Sequence, residues 1–530
     1  MEEREDRGVS AREQPNERGR PSPGATLRVA RLGDALLPNE LARLGTADLV
    51  AFLSPRRWFG AKAGAPSAAR VADAIVLPWE GGRFAIARLD VTTAGGESKR
   101  YQLPLCVRSN DEIGDALPTS IIARVVADDG EGLLFDAVED GAFLRALADA
   151  FAHGGQFGKG HSHWTIEPLS VTALVVPPNA PLRVGSAEQS NTSLVIGDQA
   201  ILKLFRKLEQ GEHPDVELTR FLTLDAKFGH TPALLGVIRF DDDGRDTVAG
   251  MLQEFLPKSS DAWSYALEKA RPYFQAKGNP TTNAFTADAE RLGVVTRAMH
   301  EALATGTSES LAPEPASAET VQRWAESAKQ WVRDGFALLE RQLRNGGVPK
   351  ERTAEGEALA RRSERYLGLV DEIVNSIRGD AGRAIRIHGD YHLGQVLRTA
   401  RDDFMIIDFE GEPARPLAER REKASPLRDV AGMLRSFAYA AATLGVEEKS
   451  LDVGTREVRI GRWERDVREA FLRGYLRNDG KSKILPSDAE HTRSLLRLFE
   501  TEKAFYELAY ELNNRPQWTW IPMRGIAKLL

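Results

Sequence analysis

The sequence predicts an α+β chain of two lobes, strand-rich in its N-terminal part and mainly helical in its C-terminal part. Three observations lead there. Short alternating or continuous apolar runs, separated by Gly, Asp and Asn turns, recur up to about residue 257, which is a strand pattern. From Ser260 onward apolar residues recur at three- and four-residue spacing, which is a helical pattern. Inside that helical part, residues 387–412 form one short hairpin signal, with strand-like pieces at 395–397 and 404–407 around a polar turn.

The hairpin carries Asp390, Gln395 and Asp408. A lone Asp at a strand end is usually a turn residue. Three such groups around one hairpin point to a shared site. Protein kinases place an Asp to take the acceptor proton, then an amide and a second Asp to hold Mg²⁺. Asp390-x₄-Gln395 has the kinase Asp-x₄-Asn spacing with Gln for Asn, and Asp408-Phe409-Glu410 stands where kinases carry Asp-Phe-Gly.

Bulk properties narrow the class. A chain of 530 residues allows three or four domains or subdomains. A net charge of −6 without a basic tail or face argues against nucleic acid. The single cysteine, Cys106, rules out an intramolecular disulfide and sits in an apolar run that reads as core. No run approaches the roughly 20 apolar residues of a membrane span, and no secretory signal opens the chain. The expected location is cytoplasmic, away from membranes.

Residues 1–25 are nearly free of large apolar side chains and are expected to be a disordered tail. Residues 26–115 read as an N-terminal cap subdomain, with a helix at 39–53 and strands at 72–77, 83–91 and 101–107. Residues 116–257 read as an intermediate subdomain that completes the N-lobe. It holds a short strand at 132–137, a helix at 141–150, and a loop at 151–163 whose three histidines match no metal spacing. Strands at 193–196 and 200–205 follow. Lys203 lies in the second of them among apolar neighbours, a costly place for an unpaired charge. Glu217, in a helix expected at 214–228, is the predicted partner that orients Lys203 toward ATP phosphates. The preceding polar loop offers Ser190, Asn191, Thr192 and Ser193 to those phosphates through hydroxyl, amide and backbone groups. A strand at 247–255 leads into a hinge, where the backbone of Gln253 to Phe255 is expected to meet adenine. Residues 258–530 form the helical C-lobe, with helices at 263–270, 286–304, 320–343, 354–377, 425–442, 462–477 and 487–513.

Together, His388-Gly389-Asp390-Tyr391-His392-Leu393-Gly394-Gln395 and Asp408-Phe409-Glu410-Gly411-Glu412-Pro413 resemble the aminoglycoside-phosphotransferase-like kinases of the protein-kinase-like superfamily. Arg57-Trp58-Phe59-Gly60, Glu188 to Ser193, and Glu502-Lys503-Ala504-Phe505-Tyr506-Glu507 with Arg515-Pro516 narrow the resemblance to bacterial maltokinases, over about residues 30–530. The resemblance implies a bilobal protein-kinase-like fold with a cap. It implies ATP-dependent phosphorylation of maltose at its anomeric hydroxyl, feeding α-glucan or glycogen synthesis, and association with trehalose synthase. In that reading Asp390 is the base, Lys203 and Glu217 handle phosphate, and Gln395 and Asp408 hold Mg²⁺. Glu410, Tyr506, Tyr510 and Trp518 are the candidate sugar contacts. Another sugar or aminosugar acceptor (glucosamine, a hexose, an aminoglycoside) fits the same catalytic residues. A pseudokinase that only binds nucleotide or glucan is the reading from a different class.

Overall fold

The computed structural model describes residues 24–59, 64–114, 117–169, 177, 179–185, 191–412, 415–477 and 483–530. The expected tail lies outside them except for Gly24 and Ala25, and Ala25 already belongs to a strand.

The first sheet runs Ala25–Arg28, Ile121–Ala127, Gly130–Asp136, Ser98–Ser109, Arg83–Thr93, Pro66–Leu77. Period-2 alternation in Arg83–Thr93 explains its two-sided burial. Ala85, Ala87, Leu89 and Val91 point into a core shared with Leu49, Phe52 and Leu53 of the helix Thr46–Leu53. Phe84 and Ile86 point the other way, into a core shared with Trp164, Leu202 and Ile238 of the second sheet. The first sheet continues to Asp136, so the boundary expected near residue 115 falls within it. The helix expected at 39–53 is two pieces, Pro38–Leu41 and Thr46–Leu53, broken before Gly45.

The second sheet runs Gly155–Lys159, Ser162–Pro168, Leu234–Asp242, Arg245–Glu254, Ala200–Phe205, Asn191–Ile196, Leu182–Val184. Residues 151–163, expected as a loop, instead end a helix and open the hairpin Gly155–Lys159/Ser162–Pro168. Gly158, at φ +104°, allows it: a Cβ there would lie 2.2 Å from the carbonyl oxygen of Ser162. Glycine and histidine hid the strand because neither has high strand propensity.

The two sheets are stitched together. Lys207–Leu208 pairs with Arg100 and Tyr101 of the first sheet. Gln102 receives the indole N–H of Trp164 at 3.2 Å and donates through Nε2 to the carbonyl of Phe205 at 2.7 Å. Arg206 is fully buried between them: its guanidinium meets Asp136 at 2.8 Å, donates to the Thr192 hydroxyl at 2.9 Å and lies over the Trp58 ring.

The C-lobe packs helices around one large core. Thr286–Leu303 and Val453–Leu476 touch backbone to backbone. A Cβ on Gly293 would come within 2.1 Å of the Phe471 carbonyl oxygen, and one on Gly474 within 2.0 Å of that of Glu290. The helix expected at 354–377 is Thr353–Ala360 followed by Ser363–Ser376. The predicted hairpin is present as Val396–Arg398 antiparallel to Phe404–Ile406, joined by Ser260–Asp261. No helix among the described residues is long and apolar enough to cross a membrane.

Candidate active site

Lys203 points from the Ala200–Phe205 strand into the cleft and is about 10% exposed. Its ammonium donates to Asp215 at 3.0 Å and to Asp408 at 2.9 Å. Burial alone would pull its pKa down; the two carboxylates outweigh that and hold it well above the usual lysine value. The expected pairing with Glu217 is not the one formed. Asp215 and Glu217 both lie on Pro214–Arg220, two residues or about 200° apart around the helix, so only one can face the strand. Asp215 does. Glu217 turns to the C-lobe, where Arg386 meets it at 2.6 Å and Arg421 at 3.1 Å. The sequence carries both acids, Asp215 two residues before Glu217, and spacing alone does not say which faces the strand.

Asp215 also accepts the backbone N–H of Phe409 at 2.9 Å, which fixes the segment carrying Asp408. Asp408 has a positive φ of 69°, tolerated by Asp better than by most residues. Its second oxygen accepts the Gln395 side-chain amide at 2.8 Å. Lys203 and Gln395 together hold its pKa below the ordinary carboxylate value despite burial. Gln395 sits on the turn Leu393–Gln395 and bonds Asp408 directly, while Asp390 of the same hairpin meets Lys503. Asp215, Asp408 and Glu410 present oxygens within 4.8 Å of one another, and the Lys203 ammonium sits against the first two.

Glu410, expected beside the acceptor, stands instead with Asp408 and Asn191. It accepts from the Asn191 amide at 2.9 Å, and burial next to Asp408 raises its pKa. Asn191 therefore joins the site. Ser193 does too: it stands opposite Lys203 in the sheet, and its hydroxyl is buried without a partner. Alternation sends Thr192, one residue between them, to the opposite face, where Arg206 binds it, so it does not line the cleft. Ser190 lies outside the described residues. At the hinge, Phe255 donates its N–H to the Gln199 carbonyl at 2.9 Å and so does not offer it to a base. Gln253 is buried in the sheet with its side-chain amide nitrogen unpartnered.

The Asp390 loop is held by backbone bonds. Asp429 accepts the N–H groups of His388 at 2.8 Å and Gly389 at 2.9 Å, and its other contact is the His300 ring at 3.0 Å. Burial opposes its charge, but these donors keep its pKa below the usual range. His388 Nε2 donates to the Ile407 carbonyl at 2.9 Å, which ties the loop to the Asp408 segment. Gly432 lets the helix Leu427–Glu447 press on this loop; a Cβ there would lie 2.7 Å from the Tyr391 carbonyl oxygen.

Beyond Asp390 lies a pocket lined by Trp331, Tyr391, Glu412, Glu502, Lys503 and Tyr506 among others. Lys503, from the helix Ala489–Asn514, stands 3.5 Å from Asp390 and 3.4 Å from Glu412, with its ammonium over the Tyr506 ring. Tyr506 donates to Glu412 at 2.6 Å. Of the four expected sugar contacts only Tyr506 lines this pocket. Tyr510 and Trp518 both have the Arg515 guanidinium over their rings and are not among the pocket's lining residues. Glu412, Lys503, Glu502 and Trp331 were not foreseen as site residues. No local spacing announces them, because three come from helices and one from the loop after Asp408.

Residues 52–140 match the maltokinase N-terminal cap domain. A glucosamine kinase from Mycolicibacterium smegmatis (strain ATCC 700084 / mc(2)155) is 26% identical over 373 residues, 70% of this chain and 84% of that protein. The chain is a kinase-type phosphotransferase with a maltokinase cap. A second glucosamine kinase, from Streptacidiphilus jiangxiensis, is 26% identical over 345 residues, 65% of this chain and 72% of its own length. The solved structure of a glucosamine kinase in complex with glucosamine, ADP and inorganic phosphate shares the fold, with a TM-score of 0.64 at 20% identity over 93% of this chain and 99% of that one. Another glucosamine kinase crystal form gives 0.65 at 21% identity over 92% and 99%. The two-lobed α+β kinase-like architecture read from the sequence is therefore the fold of this chain.

Proposed function

We propose that this chain transfers the terminal phosphoryl group of ATP to the anomeric hydroxyl of maltose, giving maltose 1-phosphate for α-glucan or glycogen synthesis. The observation that carries the acceptor is Lys503. Its ammonium fills the slot between Asp390 and Glu412. An aminosugar cation drawn to those carboxylates would have to share that slot with a like charge, whereas a neutral sugar would not. The cap match points the same way. Glucosamine is the second reading, favoured by the names of the matched relatives.

In this mechanism Asp390 takes the proton of the C1 hydroxyl. The freed oxygen bonds to the γ-phosphorus in line as the bond to the β–γ bridging oxygen breaks, and ADP leaves with that electron pair. Lys203, fixed by Asp215, neutralises phosphate oxygens, and Asn191 and Ser193 supply polar groups from the neighbouring strand. Asp408 and Gln395, with Glu410 nearby, would hold Mg²⁺, which supplies positive charge to the phosphates when bound. Positioning and charge stabilisation do most of the work in phosphoryl transfer. Association with trehalose synthase and a cytoplasmic location belong to the same reading.

The test is ADP release with maltose, glucose and glucosamine under identical conditions. Maltose is expected to give the largest kcat/KM, with product stable to alkali but labile to acid as an anomeric phosphate. Preferential turnover of glucosamine would replace this reading with the second.

A further inference from the structure

Resting on the disaccharide reading above, we infer that Trp331 is the platform for the second sugar ring, the one that is not phosphorylated. The pocket has an order. Lys503 and Glu412 touch or adjoin Asp390, Tyr506 bonds Glu412, and Trp331 packs against Tyr506 with ring centroids 5.1 Å apart at 78°. Trp331 is thus linked to Asp390 through Tyr506, Glu412 and Lys503.

Of the two aromatics, Tyr506 has a face already taken by the Lys503 ammonium, 4.5 Å from its centroid. Trp331 lines the pocket and is partly exposed, with no cation over it among the described residues. Two nearly perpendicular rings make an apolar corner, and a pyranose offers a C–H face to such a surface while its edges need polar partners. Glu502 supplies one. It is buried beside Trp331 and held by Arg415 at 3.2 Å, Arg428 at 2.9 Å and the Ser327 hydroxyl at 3.0 Å.

The platform is rigid. Trp331 lies on the helix Ala318–Asn345, and the same face meets Ala489–Asn514 at successive turns. Trp324 packs on Phe499 at 5.5 Å, and Ser327 bonds Glu502. A Cβ on Gly335 would come within 2.9 Å of the Phe505 ring, so that glycine lets the two helices close up. A ring fixed before binding loses little freedom when ligand arrives.

The experiment compares wild type, W331A and W331F with maltose, and with glucose read as a substrate or competitive inhibitor. For W331A we expect the maltose KM to rise about tenfold, with kcat and the ATP KM within about threefold and glucose affinity within about twofold. W331F should recover most of the maltose KM. An unchanged maltose KM, or equal loss for maltose and glucose, overturns the assignment. If W331A no longer melts cooperatively, W331L, which keeps bulk without an aromatic face, carries the same expectation. Failure of the maltose reading shows separately, as wild-type enzyme that phosphorylates monosaccharides but not maltose, and then no second ring exists for Trp331 to meet.

Discussion

Lys203 and Lys503 are both ammonium groups held between two carboxylates, yet they are held differently. Lys203 comes from the middle of a sheet and meets Asp215 and Asp408 at 3.0 and 2.9 Å. Lys503 comes from a helix and stands 3.5 and 3.4 Å from Asp390 and Glu412, with a ring beneath it. The first geometry is that of direct charge-assisted hydrogen bonds, and the second is slack. On the proposed reading, Lys203 serves the phosphate side and Lys503 the acceptor side.

Mutations can break or sharpen that contrast. The largest effect is expected at the base between the two sides. Asp390→Asn should lower kcat about a thousandfold while ATP binding, followed by calorimetry, stays near wild type. Folded protein with near-normal turnover would remove Asp390 from the mechanism. Next is Lys203→Met, for which kcat/KM for ATP should drop roughly a hundredfold. Lys503→Met should cost about tenfold, mostly in the sugar KM, since its bonds are longer. A Lys503 effect larger than the Lys203 effect would invert the comparison. The third step separates the neighbouring acids on one helix. Asp215→Asn should act on the ATP KM. Glu217→Gln should act on stability, by about 3 kcal/mol, because it leaves the fully buried Arg386 without its counter-charge; thermal melting reads the difference. An ATP KM that responds to Glu217 more than to Asp215 would restore the pairing first expected from sequence.

The smallest effect lies in acid. The Asp429 carboxylate has a depressed pKa in the folded protein. Its contribution is therefore present above the unfolded carboxyl value and is lost as pH falls through the folded one, below about pH 4. Melting temperature against pH should fall less steeply in that range for Asp429→Asn than for wild type, though from a lower starting point. Parallel curves would show that Asp429 does not carry the acid limb.

The same contrast governs how much was legible in sequence. Asp390, Gln395 and Asp408 lie within one hairpin, so chain spacing nearly sets their spatial order. Lys203 betrayed itself as a charge in an apolar strand. Its partner was misassigned because spacing alone does not say which of two acids on a helix faces inward. Thr192 was misplaced for a related reason: a strand alternates, and a run of four polar residues cannot all face one ligand. Trp331 and Glu502 are brought together only by helix packing, where Gly335 sets how closely two helices approach, and Glu412 joins them from the loop after Asp408. Nothing local to any of them reports that meeting. The fold was readable at the level of lobes, and less so where strands carried glycine and histidine, as at Gly155–Lys159.

The strand Lys207–Leu208 and the buried Arg206 bear on how this enzyme can be taken apart. Cutting away the first sheet would strip Arg206 of Asp136 and Trp58, and Lys207–Leu208 of its hydrogen-bonding edge. The remnant would hold an orphaned cation and an open strand, the two features most apt to drive misassembly. The cap is thus not a detachable module. A working hybrid between related kinases should exchange residues 24–254 as one block, so that both sheets and the seam between them come from the same parent.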